Sequence, residues 1–459
     1  MSYDARVSET KADPASQAER HRKAAEAAED ATQWRDAVRE YEECLSLVAG
    51  EPVGAGQDQA ALLTALGRCY WNLSEARTAW RTLRRAISLY QERGDGAGQA
   101  RATVEVLRIW GPPERHRTMA EDALQALGDG DPYLQARLLL DLGWTEEGAD
   151  ERYDQAIALA EQHGFEDVLA SRVQRQAWQA ISDGRLEDSV ALFNDAHETY
   201  ARLRVYHVAG GMLRGAGFSL LEMGLLDQGY EFARRSFEYA VGVNLLFSAQ
   251  LALMDMAGVL FARGEFDACE ELLASSPGES DFRGDLYRMW MAEARGDVDR
   301  ALQLLVDPER GGNIPTAVGQ IHAAAAGMLF RAGKFESAKQ ALQAWANVTR
   351  TDGDAFWMEA PALLECLLSE GDDELVRTVY DAFESHDQRN RSPALFSTLQ
   401  GRSLAPVRAG LCLRLGMLDA AERLYRQGLE WCEKERCSRD AELCRAGLDD
   451  VTARSGAPS

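Results

Sequence analysis

Three cysteines stand close together near the end of the chain, in WCEKERCSRDAELC: Cys432, Cys437 and Cys444, spaced C-x4-C-x6-C. Three thiolates and one ligand from elsewhere would satisfy a tetrahedral zinc ion, and any two could oxidise. The spacing argues against it. Cys437 and Cys444 are two helical turns apart, Cys432 and Cys437 flank an inter-helix loop, and structural zinc sites draw four convergent ligands at tighter spacing. We read the three as unliganded thiols. The scattered Cys44, Cys69, Cys269, Cys366 and Cys412 read as small core residues in a reducing compartment. The seven histidines form neither H-E-x-x-H nor a Cys/His ligand pair. No metal, no cofactor and no catalytic residue is expected.

Carboxylates are abundant without forming an acid/base pair. Asp227 and Asp267 hold matching places in two similar segments, so helix capping and a solvated face account for them. Two Gly-rich stretches, GDGAG from Gly94 and GDGD from Gly128, read as loops between helices and not as phosphate cradles, because neither joins a strand to a helix. RTAWRTLRR gathers Arg77, Arg81, Arg84 and Arg85 mainly on one helical face. Such a face could receive an acidic peptide or a phosphorylated partner. The alternative is an outer surface neutralised by Glu75 and its neighbours. The formal charge of -24 argues against general nucleic-acid binding.

The elements that carry these residues repeat. GRLEDSVALFNDA at Gly184 is followed by GLLDQGYEFARRS, GEFDACEELLASS, GKFESAKQALQAW and GMLDAAERLYRQG. Turn glycines stand at 184, 224, 264, 296, 333, 371 and 416, a spacing that suits two-helix units. Gly turns the chain at positive φ, and the acid that follows (Glu187, Asp227, Asp267, Asp299, Glu336 or Asp419) is expected at the start of the second helix, facing its free N–H groups. The second helices alternate small, large and small residues at offsets of four and three: Ala37–Tyr41–Cys44, Ala79–Leu83–Ala86, Ser189–Phe193–Ala196 and Ala421–Tyr425–Gly428. That face should be buried against neighbouring repeats.

One unit is more explicit. In LLTALGRCYW, Leu63, Leu66, Gly67 and Tyr70 share a face, and Ala79, Leu83 and Ala86 follow. This resembles a tetratricopeptide repeat (TPR), with Leu in place of the usual Trp and Phe and without the closing Pro. About eleven such units cover residues 18 to about 454, with irregular ones near 98–128, 131–165 and 282–306. The resemblance implies an all-α, right-handed superhelical solenoid. The repeats near 40 residues also look like the arrays of maltose-regulator-like bacterial transcriptional activators and of ATPase–cyclase signalling proteins. Those arrays receive small inducers or protein regulators. No phosphate loop or basic helix-turn-helix segment accompanies this one, so neither ATP hydrolysis nor DNA binding is implied.

The expected division is a disordered 1–17, N-terminal repeats over 18–128, a continuing superhelix over 129–454 and a flexible tail at 455–459. First helices of such repeats line a concave wall. Positions one and four beyond the small residue of each first helix point inward. They select Trp178 and Ile181, Phe218 and Leu221, Phe261, and in the early repeat Arg68 and Trp71. A two-residue error in register would place the same side chains in the inter-repeat core. The function this supports is non-catalytic recognition of a peptide, a protein segment or a small effector. A self-associating scaffold, with its apolar stripe buried in a homodimer, is one rival; an enzyme with an unrecognised pocket is the other. The N-terminal segment lacks the apolar core of a secretory leader, and no run of about 20 apolar residues occurs. A cytoplasmic location and no membrane partner are expected.

Overall fold

The computed structural model describes residues 14–48, 58–73, 75–109, 113–145, 150–183, 185–276, 282–311, 315–349, 355–390, 396–397 and 401–455. They form an all-α solenoid of paired helices. In chain order α1 (Pro14–Asp30) is followed by α2 (Trp34–Val48), α3 (Gln59–Asn72) by α4 (Ala76–Arg93), α5 (Gly96–Leu107) by α6 (Pro113–Leu127), and α7 (Pro132–Thr145) by α8 (Asp150–His163). The next pairs are α9 (Glu166–Ser182) and α10 (Leu186–Arg202), α11 (Tyr206–Glu222) and α12 (Leu226–Gly242), and α13 (Leu246–Ala262) and α14 (Phe266–Ala274). Then come α15 (Phe282–Ala294) and α16 (Val298–Gln303), α17 (Pro315–Arg331) and α18 (Phe335–Thr349), and α19 (Ala355–Glu370) and α20 (Asp373–Asn390). A two-stranded antiparallel hairpin, β1 (Phe396–Ser397) and β2 (Arg402–Ser403), precedes α21 (Ala405–Arg414), α22 (Leu418–Lys434) and α23 (Ser438–Ser455).

The small–large–small rule describes the buried faces. Ala37, Tyr41 and Cys44 are enclosed, as are Ala79, Leu83 and Ala86, Ser189, Phe193 and Ala196, and Ala421 and Tyr425. Small residues are required where helices touch: a Cβ on Gly67 of α3 would lie 2.5 Å from Leu83 Cγ of α4. The helix starts earlier than expected at the N-terminus. α1 begins at Pro14, inside the stretch read as disordered, because proline suits a first turn and Ala18 and Ala25 find a buried surface. Residues 1–13 and 456–459 lie outside the described residues.

Five of the seven turn glycines take left-handed backbone: Gly224, Gly264, Gly296, Gly333 and Gly416, with φ of 77°, 76°, 83°, 72° and 79°. Gly371 does not. There the Asp372 carboxylate caps the next helix, accepting from the Leu375 N–H at 2.7 Å. Gly184 lies outside the described residues. All six acids after the glycine stand in the first turns of their helices, as expected, but two of them pair elsewhere. The carboxylates of Asp227 in α12 and Asp267 in α14 turn to the following repeat, where Arg263 (2.7 Å) and Arg295 (2.6 Å) donate to them. Both arginines sit just before a turn glycine, so acid and arginine fasten consecutive repeats to each other.

The chain packs as two compact units. One comprises Met1–Arg172 with Arg202–His207 and Val241–Phe247; the other comprises Val173–Ala201, Val208–Ala240 and Ser248–Ser459. The sequence division at 128/129 falls inside the first unit. The first unit has a chain of small cores between successive helix pairs, around Leu66, Leu83, Leu138 and Ile157. The second has one large core running from α12 to α21, with Tyr287, Trp345 and Phe383 fully enclosed. Among the described residues no helix is long and apolar enough to cross a membrane.

Candidate functional site

The close approach of Gly67 to Leu83 fixes the rotation of α3 and with it the side on which Arg68 lies. The Arg68 guanidinium grips Glu29 of α1 in a bidentate pair, Nε at 2.9 Å and Nη2 at 3.0 Å. Its Nη1 lies 3.6 Å from Glu105 of α5, which also accepts from Arg108 at 2.7 Å. The Tyr41 hydroxyl of α2 donates to Glu29 at 2.6 Å. Burial and the Glu29 charge push that phenol well above its usual range. Glu105 goes the other way: burial raises its carboxyl, but Arg108, Arg68 and Arg137 outweigh the burial and leave it below the ordinary value.

Beside this network opens a cleft of about 490 Å³, wholly within the first unit. Glu26, Glu29 and Asp30 line it together with Arg68, Arg108 and Arg204, two of which pair with these acids, and with His207. Trp34, Trp71 and Tyr206 supply flat apolar walls. Trp71 is braced by Phe247, their ring centroids 6.0 Å apart. The Nε of Arg108 is enclosed and has no hydrogen-bond partner among the described residues. Desolvation, then the charges of Arg108 and Arg137, hold the His207 imidazole well below its usual value, so it is neutral near pH 7.

Three turns from distant parts of the chain meet beside the cleft. Trp34 Nε1 donates to the Val243 carbonyl at 3.0 Å, and Asn244 Nδ2 returns a bond to the Thr32 carbonyl at 3.1 Å. Arg204 Nη1 reaches Asp30 at 3.4 Å. Each turn has a left-handed residue that is not glycine: Thr32 (φ 56°), Arg204 (φ 58°) and Asn244 (φ 56°). That backbone is unfavourable for side-chain-bearing residues other than Asn and Asp.

The sequence-selected residues divide among several places. Arg68 and Trp71 line the cleft. Trp178 is 36% exposed and packs edge-on against Phe193, 5.0 Å between centroids, while Ile181 is half-buried. Phe218 is half-buried under the Arg214 guanidinium (5.7 Å), which is paired with buried Asp255 at 2.8 Å. Leu221 and Phe261 are not on an open wall. Phe261 packs among Phe266, Tyr287 and Trp290, a shift of register into the inter-repeat core. Leu221 is sealed by the protein's own C-terminal part, in a cluster with Phe396, Cys432 and Cys437. Trp431 Nε1 donates to the Gly224 carbonyl at 3.0 Å, and Arg263 Nε to that of Glu435 at 3.3 Å, so α22 and the turn after it cover this stretch.

Arg77, Arg81, Arg84 and Arg85 are all exposed on α4. The eight cysteines are free and buried. A hydrogen bond with Cys432 and burial hold the Cys444 thiol far above its usual range. Among the described residues no group of three or more His, Cys, Asp or Glu is placed to hold a metal ion. The sequence reasoning missed Trp34, Arg108, Arg204, Tyr206 and His207. A legible signal was present for most of them: the turns at Thr32, Arg204 and Asn244 lack the glycine that most other turns use, a feature shared by the α22–α23 turn at Arg436 (φ 64°).

No family model matches the chain, and no curated protein matches it. Solved structures match it at low identity. The TPR domain of P58(IPK) is 13% identical, covering 96% of this chain and 99% of that one, with a TM-score of 0.29. A Rap protein complexed with competence and sporulation factor is 12% identical over 96% and 99%, with a TM-score of 0.38. Yeast Tom70 is 12% identical over 97% and 98%, with a TM-score of 0.27. The chain is similar to these proteins in its TPR-like helical repeat.

Proposed function

We propose that the protein is a non-catalytic recognition module whose first unit holds a peptide or a small effector in the cleft between Trp34, Trp71 and Tyr206. The observation that carries this reading is the unpartnered Arg108 Nε in a cleft with aromatic walls. An enclosed guanidinium N–H without an acceptor is costly, and a ligand carboxylate or carbonyl entering beside Arg108 would supply one once the Arg108 side chain turns toward the cleft. The aromatic faces would take an apolar side chain, and the acids of the cleft would accept N–H groups. Trp178, Ile181 and Phe218 belong to the second unit and stand as a separate candidate contact surface on that unit alone. Like the arrays of maltose-regulator-like activators, the module would pass its bound state to a separate signalling partner, in a cytoplasmic setting.

The test begins with the full chain immobilised and ligands recovered from cell extract, identified by mass spectrometry. The affinity of the recovered ligand is then measured for Trp71→Ala and Arg108→Gln. A loss of about tenfold or more in folded variants is expected. Unchanged affinity in both would remove the cleft as the site. Light scattering across concentrations separates this reading from self-association.

A further inference from the structure

Several helices of this protein set acids three or four residues from a surface arginine: half-buried Arg22 pairs with Glu19 and Glu26, half-buried Arg234 with Glu231 and Glu238, and exposed Arg426 with Glu422. α4 departs from that pattern. Its apolar face, Ala79, Leu83, Ala86, Ile87 and Tyr90, is buried. Opposite it stand Arg77, Arg81, Arg84 and Arg85, all exposed, and none pairs with a described residue. At 100° per residue the four share an arc of roughly 100° along two turns. Glu75, which an ordinary outer face would use to neutralise them, is exposed and forms no pair with them among the described residues. Arginines at this spacing repel one another along the helix.

The stripe has an apolar border. Trp80 is half-buried beside it, and the guanidinium of exposed Arg115, from α6 of the next repeat, lies 4.1 Å from its ring centroid. Arg115 thus adds a fifth exposed guanidinium at the border of the stripe, with the His116 ring also stacked beside Trp80 at 6.5 Å between centroids, in a chain of formal charge -24.

We propose that this stripe is a docking surface for an acidic α-helix of a partner protein, with carboxylates at i, i+4 and i+7 facing the arginines and an apolar residue on Trp80. Guanidinium groups form bidentate pairs with carboxylates, and the spacing of the arginines matches one face of a second helix. Size selects the partner. At physiological salt, charge is felt over about 8 Å. A single helix meets only the local stripe, whereas a membrane or a long nucleic acid also meets the acidic remainder of the molecule.

The experiment uses the full chain and two fluorescein-labelled Ala/Glu helical peptides of equal composition. One carries Glu at i, i+4 and i+7 on a single face; the other spreads the same residues around the helix. Fluorescence anisotropy is read at about 0.15 M salt. The one-faced peptide should bind about tenfold more tightly than the other, and more tightly still at low salt. Binding should be lost in the Arg81→Glu, Arg85→Glu double variant with unchanged circular dichroism. If that variant loses helicity, Arg81→Gln, Arg85→Gln takes its place. Equal binding of the two peptides, no binding of the one-faced peptide, or binding retained in the folded variant would overturn the proposal. So would binding to phosphatidylserine vesicles, or to a single-stranded DNA oligonucleotide, that the peptide fails to displace.

Discussion

Glu222, at the end of α11, is half-buried, and burial pushes its carboxyl up to about 8. Its unfolded value is about 4.3. The folded state therefore holds this proton more tightly, and the stability it lends is full below the unfolded value and lost as pH rises through the folded one. Glu222→Gln should remove that loss. Urea midpoints of the variant and the parent should differ more at pH 8 than at pH 5, with the variant gaining. Glu105 has the opposite sign, because Arg108, Arg68 and Arg137 outweigh its burial. Its contribution is present above the unfolded value and disappears as pH falls through the folded one. Arg68→Met strips Glu29 and Glu105 of a shared partner. It should cost about 1–3 kcal/mol in urea unfolding, below the range for fully enclosed pairs because the Arg68 side chain is partly in solvent. At this scale the sequence was informative where a register was anchored. Gly67 must face Leu83, so the side on which Arg68 lies followed. The register around Ala257 had no such anchor, and Phe261 went to the core.

The helix pair is the element most fully written in the sequence. Small residues at contact points and a large one between them name the buried face before any packing is known. The Gly67–Leu83 contact tests how tight that rule is. Gly67→Ala would place a methyl 2.5 Å from Leu83 Cγ and should destabilise by about 1–3 kcal/mol. Combining it with Leu83→Ala should restore part of the loss relative to the sum of the two single variants, as a double-mutant cycle would show. What the repeat pattern did not reveal was the work of Asp227 and Asp267. Capping and inter-repeat pairing ask for the same residue in the same turn, and only the placement of Arg263 and Arg295 decides for the second. Turn chemistry held the clearest unread sign. Most turns use glycine, so Thr32 at positive φ marks a place where a side chain was kept despite its backbone cost. Thr32→Gly should raise thermal stability by about 0.5–1 kcal/mol, since the bond to Asn244 uses only the Thr32 carbonyl.

A plain solenoid is stabilised by nearest neighbours alone, and a change in one repeat is felt next door. The second unit has contacts of another range. Trp431 and Gly224 are 207 residues apart, and Arg263 and Glu435 are 172 apart. Buried Asp440 accepts from Arg402 Nε at 2.9 Å and the Ser403 N–H at 2.6 Å, which holds the hairpin in place. Trp431→Phe should therefore speed amide exchange around residues 224–225 as well as in α22, while α17 and α18 keep their protection. Exchange confined to α22 would mean that the long-range bond contributes nothing. No repeat pattern could have forecast these contacts. Periodicity fixes each step of the stack, but the meeting of distant repeats depends on the small rotation between steps, summed over many of them.

That meeting makes the number of repeats a quantity the molecule counts. Repeat arrays commonly tolerate gain or loss of a whole unit, because every joint resembles every other. Here the indole of Trp431 finds the carbonyl of Gly224 only if the helix pairs between them add up to the right advance. Insert or remove one pair, and each joint remains sound while the two ends fall out of phase. The second unit is therefore closed to the commonest way such chains lengthen, and a change of length there has to come in its loops.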